Sequence, residues 1–190
     1  MGTNLDNKLF KTKNTKKLSK IQIYIIYFFL FAFLGWLMET IYGFIVLGHF
    51  TKRGFLYGPL CPIYGYGALI LIIFLGKYRN NSLKLFTYSA VIFSVFEYLA
   101  SYALEVLFHS YWWDYTNDFF NLNGRISLLY SFAWGIIAII FVGHIYPFFK
   151  IKLNIILSKI PYQVKNFILN LTCIIFIVDT ILSCIRYINI

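Results

Sequence analysis

Acid is scarce in this chain: Asp and Glu number 7 among 190 residues, against 17 Lys and Arg. Charged residues are only 13% of the total, too few to clothe a soluble domain of this length. Cysteine is rare too. Cys61, Cys173 and Cys184 fall in or beside apolar runs without CxxC or Cys/His spacing, and read as small buried hydrophobes. The three histidines are scattered and no HExxH occurs, so no metal site is expected. A GxxxxGK[ST] loop is also missing, because Gly76-Lys77 is followed by Tyr78. The chain therefore binds no nucleotide through such a loop, and no cofactor is expected.

What fills the space is apolar: 60% hydrophobic residues, of which aromatics alone make 22% of the chain. This composition predicts an all-α, polytopic membrane helix bundle with about five transmembrane helices. Residues 1–20 form a basic arm, with six lysines against Asp6. Residues 21–190 form a single transmembrane domain. The run Ile21 to Leu47 is 27 residues long and lacks the small-residue end of a signal peptide, so it reads as a spanning helix. The further spans are Leu60 to Gly76, Leu83 to Phe108, Ser127 to Phe149 and Phe167 to Asn189.

A net charge of +10 would point to nucleic acid in a soluble protein, but here the charge is sorted by loop. With the N-terminus inside, 13 of the 17 basic residues lie inside, and Lys52, Arg53, Arg125 and Arg186 lie outside. That asymmetry predicts an N-in, C-out chain with the lipid bilayer, and no nucleic acid, as its surroundings. The inner loop from Lys150 to Lys165 alternates apolar and basic residues and reads as a short amphipathic element at the interface.

The stretch Arg53 to Gly67, RGFLYGPLCPIYGYG, holds two of the four prolines and a cluster of glycines between two apolar runs. Regular backbone is not expected from Gly54 to Pro62, so the second helix should be broken at its outer end. Irregular backbone at membrane depth needs protein or a watery cavity to satisfy it.

Acids inside spans are costly and mark candidate sites. Glu39 lies 18 residues after Ile21, roughly 27 Å along its helix. Glu97, near mid-depth, is the foremost candidate. Glu97, Ser101 and Glu105 share one face at i, i+4, i+8, and Asp179, Ser183 and Arg186 follow i, i+4, i+7. Gly35, Glu39 and Gly43 form a small–polar–small row that lets a neighbour approach the carboxylate. These stripes predict an outward-facing polar pocket, extended by Arg53 and by Trp113, Asp114, Asn123 and Arg125 of the loop HSYWWDYTNDFFNLNGR. Two helix N-termini and the arginines suit an anionic group, while the excess of carboxylates suits a proton or cation. The same charges could instead pair with one another and fix the packing.

The strings GWLMET (35–40), RGFLYGPLCPIYGYG (53–67) and WDYTNDFFNLNGRISL (113–128), the glutamates Glu97 and Glu105, and Trp134-Gly135 together resemble the ABC-transporter type IV, or CmpB-like, membrane permease family of bacteria. The resemblance covers about residues 21–145. It implies a permease-like transporter component in the plasma membrane that works with separate ATPase subunits. Five spans make a small permease, so a homodimer or other partner is expected. Two further functions stay open: a membrane-embedded enzyme acting on lipid-linked or envelope substrates, and an accessory membrane subunit.

Overall fold

The computed structural model describes residues 17–188. Most of the basic arm predicted over 1–20 lies outside the described residues. Five helices follow in order: α1 (Lys20–Leu47), α2 (Pro62–Tyr78), α3 (Ser82–Phe108), α4 (Leu128–Lys159) and α5 (Tyr162–Ile188). Among the described residues there is no strand, only a single bridge between Leu122 and Ile126. The protein is an all-α bundle, as its composition predicts.

Three of the helices begin at a side-chain cap that the sequence supplies. Ser19 and Gln22 form a reciprocal capping box at α1, Asn81 caps α3 through the Lys84 amide, and Ser127 caps α4 through the Tyr130 amide. Pro62 starts α2, where its missing amide costs nothing. Gly48 and His109 end α1 and α3 in the left-handed region.

Four of the helices, α1, α3, α4 and α5, are long and apolar enough to cross a membrane; α2 is shorter. Large side chains such as Ile45, Val91, Leu129 and Ile174 are exposed along them. Exposure on that scale suits lipid and not water. At 1.5 Å per residue α2 is about 25 Å long, just under a hydrocarbon thickness of about 30 Å. The irregular segment ahead of it therefore lies at membrane depth, where the sequence predicts a break.

Two helix pairs make the bundle: α1 packs along α2, and α3 along α4. Their shared core joins Tyr27 and Phe31 of α1, Ala68, Leu71 and Leu75 of α2, Leu85 and Phe93 of α3, and Ala138, Phe141 and Val142 of α4. Both α2 and α4 widen into a single π-turn, at Leu71–Leu75 and Phe141–Ile145. The apolar run of α4 was expected to end near Phe149, with an amphipathic element beyond. Instead residues 146–159 continue the same helix, because Pro147 sits where the π-turn already lacks an ordinary bond and no breaker follows before Pro161. The fifth helix stands apart: its polar ties to the other helices and loops include Asn166, which accepts from Gln22 at 2.7 Å, and Asp179, Ser183 and Arg186 toward its other end.

Candidate functional site

Protein groups satisfy much of the irregular segment from Gly54 to Cys61. The Tyr57 amide donates to Asp179 Oδ1 at 2.8 Å, and the Gly58 amide donates to Asp179 Oδ2 at 2.8 Å. The Leu60 amide donates to the Gly58 carbonyl, and the Cys61 amide donates to the Ala32 carbonyl of α1 at 3.0 Å. The Arg186 guanidinium donates to the Phe55 carbonyl at 2.7 Å. Gly54 sits at φ +83°, and a β-carbon there would meet Cys61 Sγ at 2.8 Å, so only glycine fits. Asp179 and Arg186, expected in a polar pocket, are thus the fasteners of this segment.

The glycine row on α1 does what its spacing predicts. Gly35 receives the ring of Tyr64 from α2, and Gly43 receives the guanidinium of Arg53. Between them Glu39 accepts from the Tyr64 hydroxyl at 2.9 Å, with Cys61 Sγ at 3.8 Å from its other oxygen. Arg53 forms no ion pair with Glu39: its Nε is enclosed and has no hydrogen-bond partner.

Glu97 is only 6% exposed, the most deeply buried charge-bearing group among the described residues. Its carboxylate accepts from Tyr115 Oη at 2.9 Å and from Trp134 Nε1 at 2.9 Å. Both donors are neutral. Tyr115 stacks on Tyr130 at 4.2 Å between ring centres, and Trp134 stacks on Phe93 at 5.2 Å. Glu39 and Glu97 are thus each met by neutral aromatic donors, Tyr64 for the first and Tyr115 and Trp134 for the second.

Glu105 is different, for it pairs with Arg125 and accepts from Tyr111. Arg125 also donates to Ser101 Oγ at 3.2 Å and lies over the rings of Tyr98 and Tyr102. The loop before α4 is built to deliver these groups. Asn121 bridges the Thr116 and Asp118 carbonyls and accepts from the Gly124 amide. Asn123 and Gly124 take positive φ, and Asn123 donates to Tyr98 Oη at 3.0 Å. Trp113 Nε1 donates to the Arg125 carbonyl at 3.0 Å, and Asp114 accepts from the amide and hydroxyl of Thr116. The Thr116 bonds hold the Asp114 carboxyl below its usual range. The bond to Glu105 raises the Tyr111 phenol and the Arg125 guanidinium.

The nine predicted residues therefore fall into parts. Glu39 is held by Tyr64, and Glu97 by Tyr115 and Trp134. Ser101, Glu105 and Arg125 form a neutral ion-paired cap beside them. Trp113, Asp114 and Asn123 hold the loop that positions Arg125 and Tyr115, and Arg53 packs on α1. Tyr64, Tyr115 and Trp134, which donate to the buried glutamates, were not foreseen as site residues. Aromatics near a membrane boundary ordinarily read as interfacial.

Residues 26–184 match the family described as Putative ABC-transporter type IV. That range extends beyond the motif-bearing region to take in most of α5. No curated protein and no solved structure matches the chain.

Proposed function

The chain belongs to this ABC-transporter type IV family, and from that premise we propose that it is a permease-like component of a transporter, handling a small solute at the carboxylates Glu39 and Glu97. The observation that carries the reading is the charge balance inside the bundle. Glu105 is neutralised by Arg125, whereas Glu97 and Glu39 bond only neutral donors; Asp179 also meets only neutral donors, but both its oxygens are engaged by the Tyr57 and Gly58 amides that it holds. A carboxylate within a span and without a counter-charge costs several kcal/mol unless a proton or cation accompanies it. The solute or coupling ion in this reading carries positive charge.

In this reading the N-terminus and the α4–α5 turn face the cytoplasm of a bacterial cell, which the excess of basic residues there supports, and Glu39 and Glu97 lie toward the outer leaflet. Energy would come from a separate ATPase subunit docked at the basic end, around Lys150, Lys152, Lys159 and Lys165, and a second copy of the chain or another membrane subunit would complete so small a permease. The test is uptake or export in cells carrying Glu97→Gln, with membrane insertion measured in parallel. Transport is abolished while the protein stays in the membrane. Normal transport by a well-inserted Glu97→Gln chain would exclude the site. Co-purification of an ATPase chain from native membranes tests the partner.

A further inference from the structure

Three of the four arginines are engaged by protein. Arg125 pairs with Glu105, Arg186 donates to the Phe55 carbonyl, and Arg79 donates to the Gly143 carbonyl. Arg53 makes no hydrogen bond and no ion pair among the described residues. Its position is nevertheless fixed. The guanidinium fills the notch that Gly43 leaves on α1, with Nε and Nη2 each 2.6 Å from where a β-carbon would stand. Nε is enclosed there without an acceptor, while the two terminal nitrogens are not enclosed. A guanidinium stays protonated, so shielding it from water without an acceptor is costly.

Glu39 lies one turn earlier on the same face of α1, and its side chain leaves the helix about 6 Å from the Gly43 notch. The two opposite charges do not pair. Each is held by a different anchor. Tyr64 is seated on Gly35, one turn to the other side of Glu39, and its hydroxyl bonds the carboxylate from that side. Cys61 Sγ is 3.8 Å from Glu39 Oε2 and packs against Gly54, the residue after Arg53. A half-buried carboxylate and a half-buried guanidinium thus line one notch between α1 and the segment 53–61, each without a counter-charge.

We propose that this notch takes a zwitterion, with an ammonium group at Glu39 and a phosphate or carboxylate at the terminal nitrogens of Arg53. This rests on the reading of Glu39 as part of the solute site, and adds the second charge of its ligand. A cation alone neutralises Glu39 and leaves Arg53 bare, and an anion alone does the reverse. One ligand bearing both signs satisfies both and leaves the net charge of the bundle unchanged. The planar guanidinium matches a phosphate or carboxylate through two parallel N–H bonds, and an ammonium brings three donors to the Glu39 oxygens. A free aminophosphate or amino acid carries this chemistry, and so does a phosphatidylethanolamine headgroup.

The experiment melts the full chain in lipid-depleted, phosphate-free maltoside micelles at matched ionic strength. The soluble probes are phosphoethanolamine, with inorganic phosphate and ethanolamine as its fragments, and β-alanine, with acetate as its anionic fragment. Dioleoylphosphatidylethanolamine is the lipid probe. A ligand that binds only the folded chain raises the melting temperature with concentration. A zwitterion reaches half its effect at a concentration about tenfold or more below that of its fragments. Stabilisation by the lipid alone identifies a headgroup, and stabilisation by a soluble zwitterion identifies a free solute. Arg53→Gln raises the half-effect concentration about tenfold, the scale of one lost charge-assisted bond, and leaves the ethanolamine response as in the native chain. Arg53→Lys, which keeps the charge without the fork, falls between the two and replaces Arg53→Gln if that chain does not fold. A native chain that responds to none of the three zwitterions overturns the proposal, as does an undiminished response after the Arg53 change. Glu39→Gln abolishes the ethanolamine response and keeps the phosphate response. An unchanged ethanolamine response in that chain overturns the Glu39 site and the zwitterion with it, whereas failure at Arg53 alone leaves the Glu39 site standing.

Discussion

Replacing Gly35 with alanine tests whether α1 and α2 meet as closely as described. Helix propensity alone favours the change by about 1 kcal/mol, since glycine is the poorer helix former. The structure demands the opposite sign. A β-carbon at Gly35 would stand 2.5 Å from Tyr64 Cβ, whereas an ordinary carbon contact is about 3.5–4.0 Å. The clash falls on the root of the Tyr64 side chain, which cannot swing clear, so α2 must move off by about 1 Å. Overpacking of this kind costs about 1–3 kcal/mol. Displacing Tyr64 also loosens its bond to Glu39, worth about 1.5–3 kcal/mol because the acceptor is charged. Set against the propensity gain, Gly35→Ala should destabilise by about 2–4 kcal/mol. Gly76→Ala is the control: Gly76 has helical dihedrals, and its nearest contact would be the Leu71 carbonyl at 3.6 Å. It should be neutral or slightly stabilising. Unfolding of the purified chain in mixed micelles of rising SDS fraction, followed by tryptophan fluorescence, measures both. A Gly35→Ala chain as stable as the native one would refute the packing at Glu39.

Asp179→Asn replaces one acceptor oxygen with a donor facing a backbone amide, so the Tyr57 and Gly58 amides should exchange hydrogen at least tenfold faster than native, while amides of α1 keep their protection. Hydrogen exchange with mass spectrometry reads this, and unchanged protection at 57–58 would show that the clamp does not hold the segment. Acid should spare the loop before α4 longer than an ordinary carboxylate would. The Asp114 carboxyl is lowered in the folded chain, so its contribution is present above the unfolded value and is lost only as pH falls through the lower folded one. A Thr116→Val chain, lacking the hydroxyl, should lose that order at a higher pH, as seen by limited proteolysis across 109–127.

Much of this was legible in the sequence because spanning helices announce themselves by length and apolarity. The broken stretch at 54–61 was legible from its prolines and glycines, and the Gly35–Glu39–Gly43 row from helical spacing. Which residue fills each glycine notch was not, because Tyr64 and Arg53 come from the next element and periodicity describes one helix at a time. The stripes on α3 and α5 suggested one shared pocket. Instead they reach different partners, since Asp179 faces the amides of a broken backbone that a charge tally does not count. The π-turns have no signature in their residues, LIIFL and FVGHI, and neither has the continuation of α4 to Lys159. The Asn-x-Asn-Gly-Arg string looked like a binding element. Its asparagines hold a turn that aims Arg125 and Tyr115, a role visible only once the loop closes.

The fastening of Gly54–Cys61 by α5 also sets an order of assembly. The ribosome makes the irregular segment more than a hundred residues before Asp179, Ser183 and Arg186 exist. Until the last helix enters the bilayer, the Tyr57 and Gly58 amides and the Phe55 carbonyl must be hydrated or borrowed by another protein, because lipid offers them nothing. Arrival of the C-terminal helix is the event that dries the segment and finishes the fold.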